Sequence, residues 1–457
     1  MKTSDREYGR RTAEPMQQAA DPMDFSKSRA LQPKAHRLIP GGAHTYAKGD
    51  DQYPEQAPGF IVRGKGCHVW DLDGNEYIEY GMGLRAVTLG HAFDPVVEAA
   101  YDQMKLGTNF SRPARIEVDL AEAMLEILNG ADMVKFAKNG SDVTTAAVKL
   151  ARAYTKRDLV AVCGDHPFFS VDDWFIGLTE MNAGIPEAIR RLTLKFRYDD
   201  LASLRQLFDQ YPSQIACVVL EPETIEPPSP GYLSQLKQLC EERGAVLLFD
   251  ETITGFRWHL AGAQAFHGVI PHLSTFGKAM GNGFAIAALV GKREIMELGG
   301  LGHNQPRVFL LSTTHGAETH ALAASLETIR IYRECHVVEF LWKQGERLRS
   351  LVNRSIAECR LEGFFEIAGR PCNLIFVTRD QDRQRSQPFR TLFMQELIRR
   401  GVIGPSFVVS FSHTDADVDR TAEAVHGALL VYRKALDEGI DKYLEGPPIR
   451  PVYRTFN

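Results

Sequence analysis

The sequence predicts an α/β fold in which a mostly parallel sheet forms a large domain beside a smaller α+β part. Three observations carry that prediction. Between about residues 95 and 330, short β-rich runs alternate with stretches of helical period. The runs, at 159–163, 216–220, 245–249 and 285–290, are apolar throughout rather than alternating, as strands buried on both faces must be. Finally, Asp250 stands immediately after one of these runs, at the strand end where such sheets place their ligands.

The elements follow in order. Residues 1 to about 38 read as a partly mobile polar arm and then a short helix. A turn-rich segment, 40–48, leads into 60–78, where Asp73-Gly-Asn75 between two alternating runs signals a hairpin. After Lys138-Asn-Gly-Ser-Asp-Val143, apolar residues recur at Val143, Ala146, Ala147, Leu150, Ala151 and Tyr154, the spacing of a buried helical face. A long helical stretch is expected from about 316 to 358, followed by an α+β region. The expected division is 1–94 as arm and hairpin segment, part of the small domain; 95–330 as the large domain; and 331–457 as the rest of the small domain.

Composition narrows the class. At 457 residues the chain is long enough for two or three domains, and 44% hydrophobic with 24% charged residues is ordinary for a globular protein. A net charge of −5 favours neither nucleic acid nor an anionic membrane as partner. The apolar stretch 284–290 falls far short of the roughly 20 residues a membrane span needs, and Met1 to Asp24 lacks the apolar core of a secretory signal. The seven cysteines include no Cys-x-x-Cys pair, which suggests reduced thiols and a cytoplasmic protein.

The chemistry centres on Lys278, in Ser274-Thr-Phe-Gly-Lys-Ala-Met-Gly-Asn-Gly283, 28 residues after Asp250. Small flanking residues leave the amine accessible, unlike an ordinary surface lysine. A nucleotide phosphate loop is rejected, because its first glycine and its Ser or Thr are replaced by His272 and Ala279. Asp250-Glu251 ends an apolar run, so one of its carboxylates either caps a helix or faces a ligand. An amine that forms an imine and an acid that keeps a ring nitrogen protonated are what pyridoxal phosphate chemistry needs. Gly140 and Ser141, at the start of the helix above, would meet the phosphate with free amides, or Asn139, Ser141 or Asp142 is a plain cap. Metal sites are not expected: His315 and His320 are five apart, and Asp415-Ala-Asp-Val-Asp419 lacks the glycine and final glutamate of a calcium loop. No Gly-x-Ser-x-Gly nucleophile elbow is present.

Taken together, Asn139-Gly-Ser-Asp142, Asp250-Glu-x-x-Thr-Gly-Phe-Arg257 and the Lys278 segment resemble the class III (ω-type) aminotransferases. Within that group the chain looks most like glutamate-semialdehyde aminomutase and its aminotransferase relatives, from about residue 38 to 435. The resemblance implies fold type I, a homodimer with active sites at the interface, and pyridoxal 5′-phosphate as cofactor. It makes Lys278 the imine-forming lysine, Asp250 the partner of the pyridine nitrogen, Gly140 and Ser141 phosphate ligands, and Thr313 the threonine reaching the neighbouring subunit's phosphate. Its implied activity is transfer of an amino group from an amino-acid donor to a small ketone or aldehyde; the alternatives are the intramolecular transfer of the aminomutase and a non-catalytic binding module.

Departures from the family pattern bear on the substrate. In place of a Tyr-His pair stacking on the ring, the chain has Gly164-Asp-His-Pro-Phe-Phe169, so His166, or else Phe168, is expected to stack. Where the aminomutase has an arginine that reads the substrate carboxylate, this chain has Lys48, which lacks the planar two-point fork. Arg85 lies nearby in sequence, either serving a relocated anion or structural. The segment 404–413 is shortened and lacks the family's glutamate.

Overall fold

The computed structural model describes residues 23–455, so most of the expected N-terminal arm lies outside the described residues. The expected helix is Ser26–Leu38, its first turn held by Asp73, whose carboxylate accepts from the N–H groups of Lys27 (2.7 Å) and Ser28 (3.1 Å). The hairpin is present with one strand more than expected: β1 (Ile61–Lys65), β2 (His68–Asp71) and β3 (Glu76–Glu79) pair antiparallel. Asp71 shapes the second turn by accepting from the N–H groups of Asp73, Gly74 and Asn75 at 2.8–3.0 Å.

Seven strands form the central sheet: β4 (Met133–Ala137), β5 (Leu159–Cys163), β6 (Thr193–Phe196), β7 (Ile215–Leu220), β8 (Val246–Asp250), β9 (Leu273–Phe276) and β10 (Ala287–Gly291). Their spatial order is β4-β10-β9-β8-β7-β5-β6, with β10 antiparallel to both neighbours and the other six sharing one direction. The apolar runs are explained by the two faces. Val160, Val162, Val219 and Leu248 join a core with Val143, Ala147 and Leu150 of the helix Gly140–Thr155. Their neighbours Ala161, Val218, Leu247 and Phe249 join another, with Leu204 and Phe208 of Leu201–Gln210 and Leu233 and Leu236 of Tyr232–Arg243. Side chains alternate across a strand, so covering both faces demands an apolar residue at every position.

The helical stretch expected at 316–358 is two helices, Thr319–Glu334 and Val337–Glu358, broken where His336 takes a left-handed φ of 50°. Beyond it lie the antiparallel pair β11 (Phe365–Ala368) and β12 (Ile375–Thr378), the helix Gln387–Ile398, β13 (Val402–Ile403) and the helix Asp415–Glu438. The acids at 415–419 start that last helix: Thr414 caps it, and Asp417 returns a bond to the Thr414 N–H (2.9 Å). β13 pairs parallel with β3, so residues from both ends of the chain share the sheet β1-β2-β3-β13.

One connection has unusual backbone. Met82, Gly83, Leu84 and Arg85 all hold positive φ, from 43° to 70°, making a left-handed turn closed by the Arg85 N–H on the Gly81 carbonyl (2.9 Å). At about 1–2 kcal/mol for each non-glycine residue, such a turn persists only where its surroundings fix it. Here the buried Arg257 donates to the Arg85 carbonyl, and Asn282 accepts from the Leu89 N–H (2.8 Å).

Candidate active site

The parallel strands end together, and the chemistry collects there. Asp250 closes β8, and Lys278 follows β9 after a single residue, Gly277. In the register of these neighbouring strands Asp250 lies opposite Thr275, three residues before Lys278. The 28-residue spacing is therefore the distance along the chain from one strand end to the next. Lys278 sits at φ 44° and opens a short 3₁₀ turn, Lys278–Gly281. The small residues around it serve the turn itself: Ala279 is fully buried, and a Cβ on Gly281 would meet Ile286 Cγ2 at 2.7 Å.

Both groups line a cavity of about 400 Å³, together with Gly140, Ser141, Phe168, Phe169, Glu221, Thr252 and Ile253. A more open cleft of about 570 Å³, at 225–227 and 369–371, holds none of these groups. Asp250 is 5% exposed and accepts from the Thr252 N–H (2.9 Å). Burial raises its pKa, opposed by its hydrogen bonds with Thr252 and by the charge of Lys278. Burial also lowers the Lys278 pKa, against the pull of Asp250 and Glu221, while Arg85 and Arg257 lower it further.

Asp250 and its sequence neighbour Glu251 part company. Glu251 is fully buried away from the cavity and accepts from the Thr254 hydroxyl and from the N–H groups of Ala263 and Gln264, both at 2.7 Å. The cavity thus receives the first carboxylate of the pair and the core keeps the second.

The start of the helix Gly140–Thr155 also lines the cavity. Asn139 accepts from the Asp142 N–H (3.1 Å), which occupies the third amide and leaves those of Gly140 and Ser141 without a partner in the helix. Two free amides at the positive end of a sixteen-residue helix suit a phosphate. The Ser141 hydroxyl accepts from the Val171 N–H (3.1 Å), which fixes the loop bearing Phe168 and Phe169 beside it.

The remaining expected residues divide. Phe168 lines the cavity; His166 does not, being 5% exposed, with Nδ1 accepting from the Glu221 N–H (3.0 Å) and its ring 5.0 Å from that of Tyr198. The structure therefore turns Phe168 to the cavity and His166 towards Tyr198, reversing the expected order of preference. Lys48 lines the cavity and is exposed. Arg85 is half-buried and donates to Asn373 Oδ1 (2.8 Å) and Ser406 Oγ (3.4 Å). Thr313 is exposed and is not among the lining residues.

Glu221 is the acid that sequence reasoning missed. It follows β7 as Asp250 closes β8, and the same signal, an acid ending an apolar run, marks both. Burial and the nearby Asp250 raise its pKa to about 8, against Lys278 and Arg85, so at neutral pH it is mostly an uncharged acid. Away from the cavity, Cys67, His68 and Asp417 place potential metal ligands within 4.8 Å of one another. These groups already bond among themselves, Cys67 Sγ donating to Asp417 (3.4 Å) and His68 Nε2 meeting its other oxygen (3.0 Å).

The donor set fits pyridoxal phosphate. A buried carboxylate with no ion-pair partner among the described residues, a helix start with free amides and an amine all line one cavity. The aminotransferase class-III family model matches residues 50–166 and 172–429. Over 427 residues the chain is 31% identical to the 3-aminobutyryl-CoA aminotransferase of Cloacimonas acidaminovorans, covering 91% of this chain and 100% of that protein. Over 433 residues it is 32% identical to glutamate-1-semialdehyde 2,1-aminomutase 2 of Halalkalibacterium halodurans, covering 90% and 99%. Among solved structures, the PLP internal aldimine form of the Sphingopyxis sp. MTA144 FumI protein superimposes with a TM-score of 0.83 at 27% identity, covering 90% of this chain and 98% of that one.

Separation of the two acids is testable. Glu251→Ala leaves one hydroxyl and two N–H groups buried without an acceptor, at about 1–3 kcal/mol each. Its midpoint of denaturant unfolding is expected to fall strongly, whereas that of Asp250→Asn, an isosteric change at the cavity wall, is expected to move little.

Proposed function

The chain belongs to the aminotransferase class-III family, whose members use pyridoxal phosphate, and from that premise we propose that it moves an amino group from an amino-acid donor to a small ketone or aldehyde. One observation carries this reading: Lys278, Asp250 and the helix start at Gly140 open into one cavity. When bound, the cofactor supplies an aldehyde that takes up an amine and a ring that draws electron density from the substrate's α-carbon.

The protein's own part is binding, orientation and proton movement. The amides of Gly140 and Ser141 would hold the phosphate. The buried Asp250 carboxylate would hold the ring nitrogen and favour its protonated form, because an opposite charge close by stabilises the cation. Phe168 and Ile253 supply apolar walls. Lys278 would hold the cofactor through its amine and would move the proton at the substrate α-carbon, a role suited to an amine whose ammonium form burial disfavours. Burial and the neighbouring Asp250 favour the uncharged form of Glu221, which limits the negative charge placed beside Asp250 at the strand ends.

The active protein is read as a homodimer in which Thr313 meets the phosphate held by a second copy. Its exposure, and the 84% and 70% exposure of Leu301 and Phe309 just before it, support that reading. A cytoplasmic location is supported by seven free cysteines; among the described residues no helix is long and apolar enough to cross a membrane.

A second reading, intramolecular transfer, is favoured by the aminomutase relatives. Lys48 in place of the aminomutase arginine, and the missing glutamate near Ser406, weigh against it. Glutamate 1-semialdehyde supplied with neither donor nor acceptor separates the two: steady formation of 5-aminolevulinate would replace transamination as the assignment.

Three substitutions test the roles. Lys278→Ala is expected to remove the borohydride-fixed link between polypeptide and cofactor and to slow turnover by about 10²–10⁴-fold or more; near-normal turnover would sink the assignment. Asp250→Asn is expected to retain cofactor yet lose most proton abstraction, read as slowed loss of the substrate's α-deuterium label. For Glu221 the sign follows from its raised pKa: deprotonation above about pH 8 adds a negative charge beside Lys278, favouring the ammonium over the base. The wild-type rate is expected to bend downwards near pH 8, and Glu221→Gln, which cannot ionise, to lack that bend.

A further inference from the structure

The left-handed turn at 82–85 carries a guanidinium that no acid among the described residues pairs with. Arg85 Nε donates to Asn373 Oδ1 (2.8 Å) and Nη2 to Ser406 Oγ (3.4 Å), both neutral acceptors. Among the described residues no carboxylate forms an ion pair with it, and Nη1 has no hydrogen-bond partner. Its side-on edge is thus taken while its end-on edge, Nη1 with the second hydrogen of Nη2, is free. Behind it, the fully buried Arg257 donates Nη2 to the Arg85 carbonyl and to Thr88 Oγ1 (3.2 Å), and its Nε and Nη1 have no partner among the described residues. Two guanidinium charges in a poorly solvated wall with no paired acid are costly unless an anion joins them. The cavity adjoins this pair: Gly83 and Ala86, on either side of Arg85, line it with Lys278, and Arg85, not itself a lining residue, acts on both Lys278 and Glu221 through its charge.

We infer that Arg85 binds the carboxylate of the substrate end-on through Nη1 and Nη2, so that the cavity takes amino acids or keto acids in preference to carboxylate-free amines and ketones. The inference rests on reading this cavity as the aminotransferase site. Backbone strain in the turn is then a positioning device, since it fixes a fork that a planar two-oxygen group matches. Asn373 and Ser406 orient that fork without neutralising it. Lys48, exposed at the cavity and a single ammonium, adds attraction without two-point geometry. The carboxylate-reading arginine that the chain lacks at position 48 is in this way replaced from a different segment.

Propionate is the probe, its binding to the PLP-loaded protein read by saturation transfer from protein to its methyl protons, which needs no turnover. Wild type is expected to bind it saturably and more tightly than methylphosphonate. Arg85→Gln is expected to weaken binding by about tenfold or more, Arg85→Lys by less, and Lys48→Gln by no more than about twofold. Asn373→Asp places a carboxylate against Nε, neutralises the fork and is expected to weaken propionate too; it stands in if Arg85→Gln does not fold. Absence of saturable binding, tighter binding of methylphosphonate, undiminished binding in Arg85→Gln and Asn373→Asp, or a loss confined to Lys48→Gln would each overturn the inference. Failure to take up pyridoxal phosphate would instead overturn the aminotransferase reading, and the propionate measurement still reports on Arg85.

Discussion

Burial of opposite charges at adjacent strand ends governs this molecule. Asp250 and Lys278 stand where β8 and β9 leave a sheet whose two faces are both packed, so each loses hydration. Burial pushes the carboxylate up and the amine down in pKa, and each is drawn partly back by the other. A third group, Glu221, reaches the same wall from β7, and being mostly protonated at neutral pH it avoids placing a second anion beside Asp250. The site is thereby a preorganised set of buried charges, whose interactions count for more than they would in water.

The walls of that cavity come from sequence-distant segments. The helix start at Gly140 follows β4, the loop bearing Phe168 follows β5, Lys48 precedes the N-terminal hairpin, and Gly83 and Ala86, which flank Arg85, follow it. Arg85 is then fixed by Asn373 and Ser406 from the C-terminal part. The small sheet makes this possible, because β13 pairs with β3 and brings residues near 403 beside residues near 80.

Legibility in the sequence followed the strength of the local pattern. The continuous apolar runs at β5, β7, β8 and β10 reveal strands because burial on both faces leaves no room for polar residues. β9, Leu273-Ser-Thr-Phe276, gives no such run: Ser274 and Thr275 are buried with hydroxyls in place of apolar side chains. The direction of β10 was also hidden, since a run of apolar residues is the same read either way. The helical stretch expected at about 316–358 is divided at a single left-handed residue, His336, which periodicity does not register.

By itself the sequence determined the fold class, the amine and acid at Lys278 and Asp250, and the helix start at Gly140, because each is written in contiguous residues whose spacing and type are constrained locally. Only the tertiary structure decided which acid of Asp250-Glu251 faces the cavity, that Phe168 rather than His166 lines it, and that Glu221 and the turn at 82–85 belong to the same wall. Those choices depend on side-chain direction, on pairing between distant strands and on left-handed backbone held by remote partners. The spacing of 28 residues was visible in the sequence; that it spans one strand end to the next was settled by the register of β8 on β9.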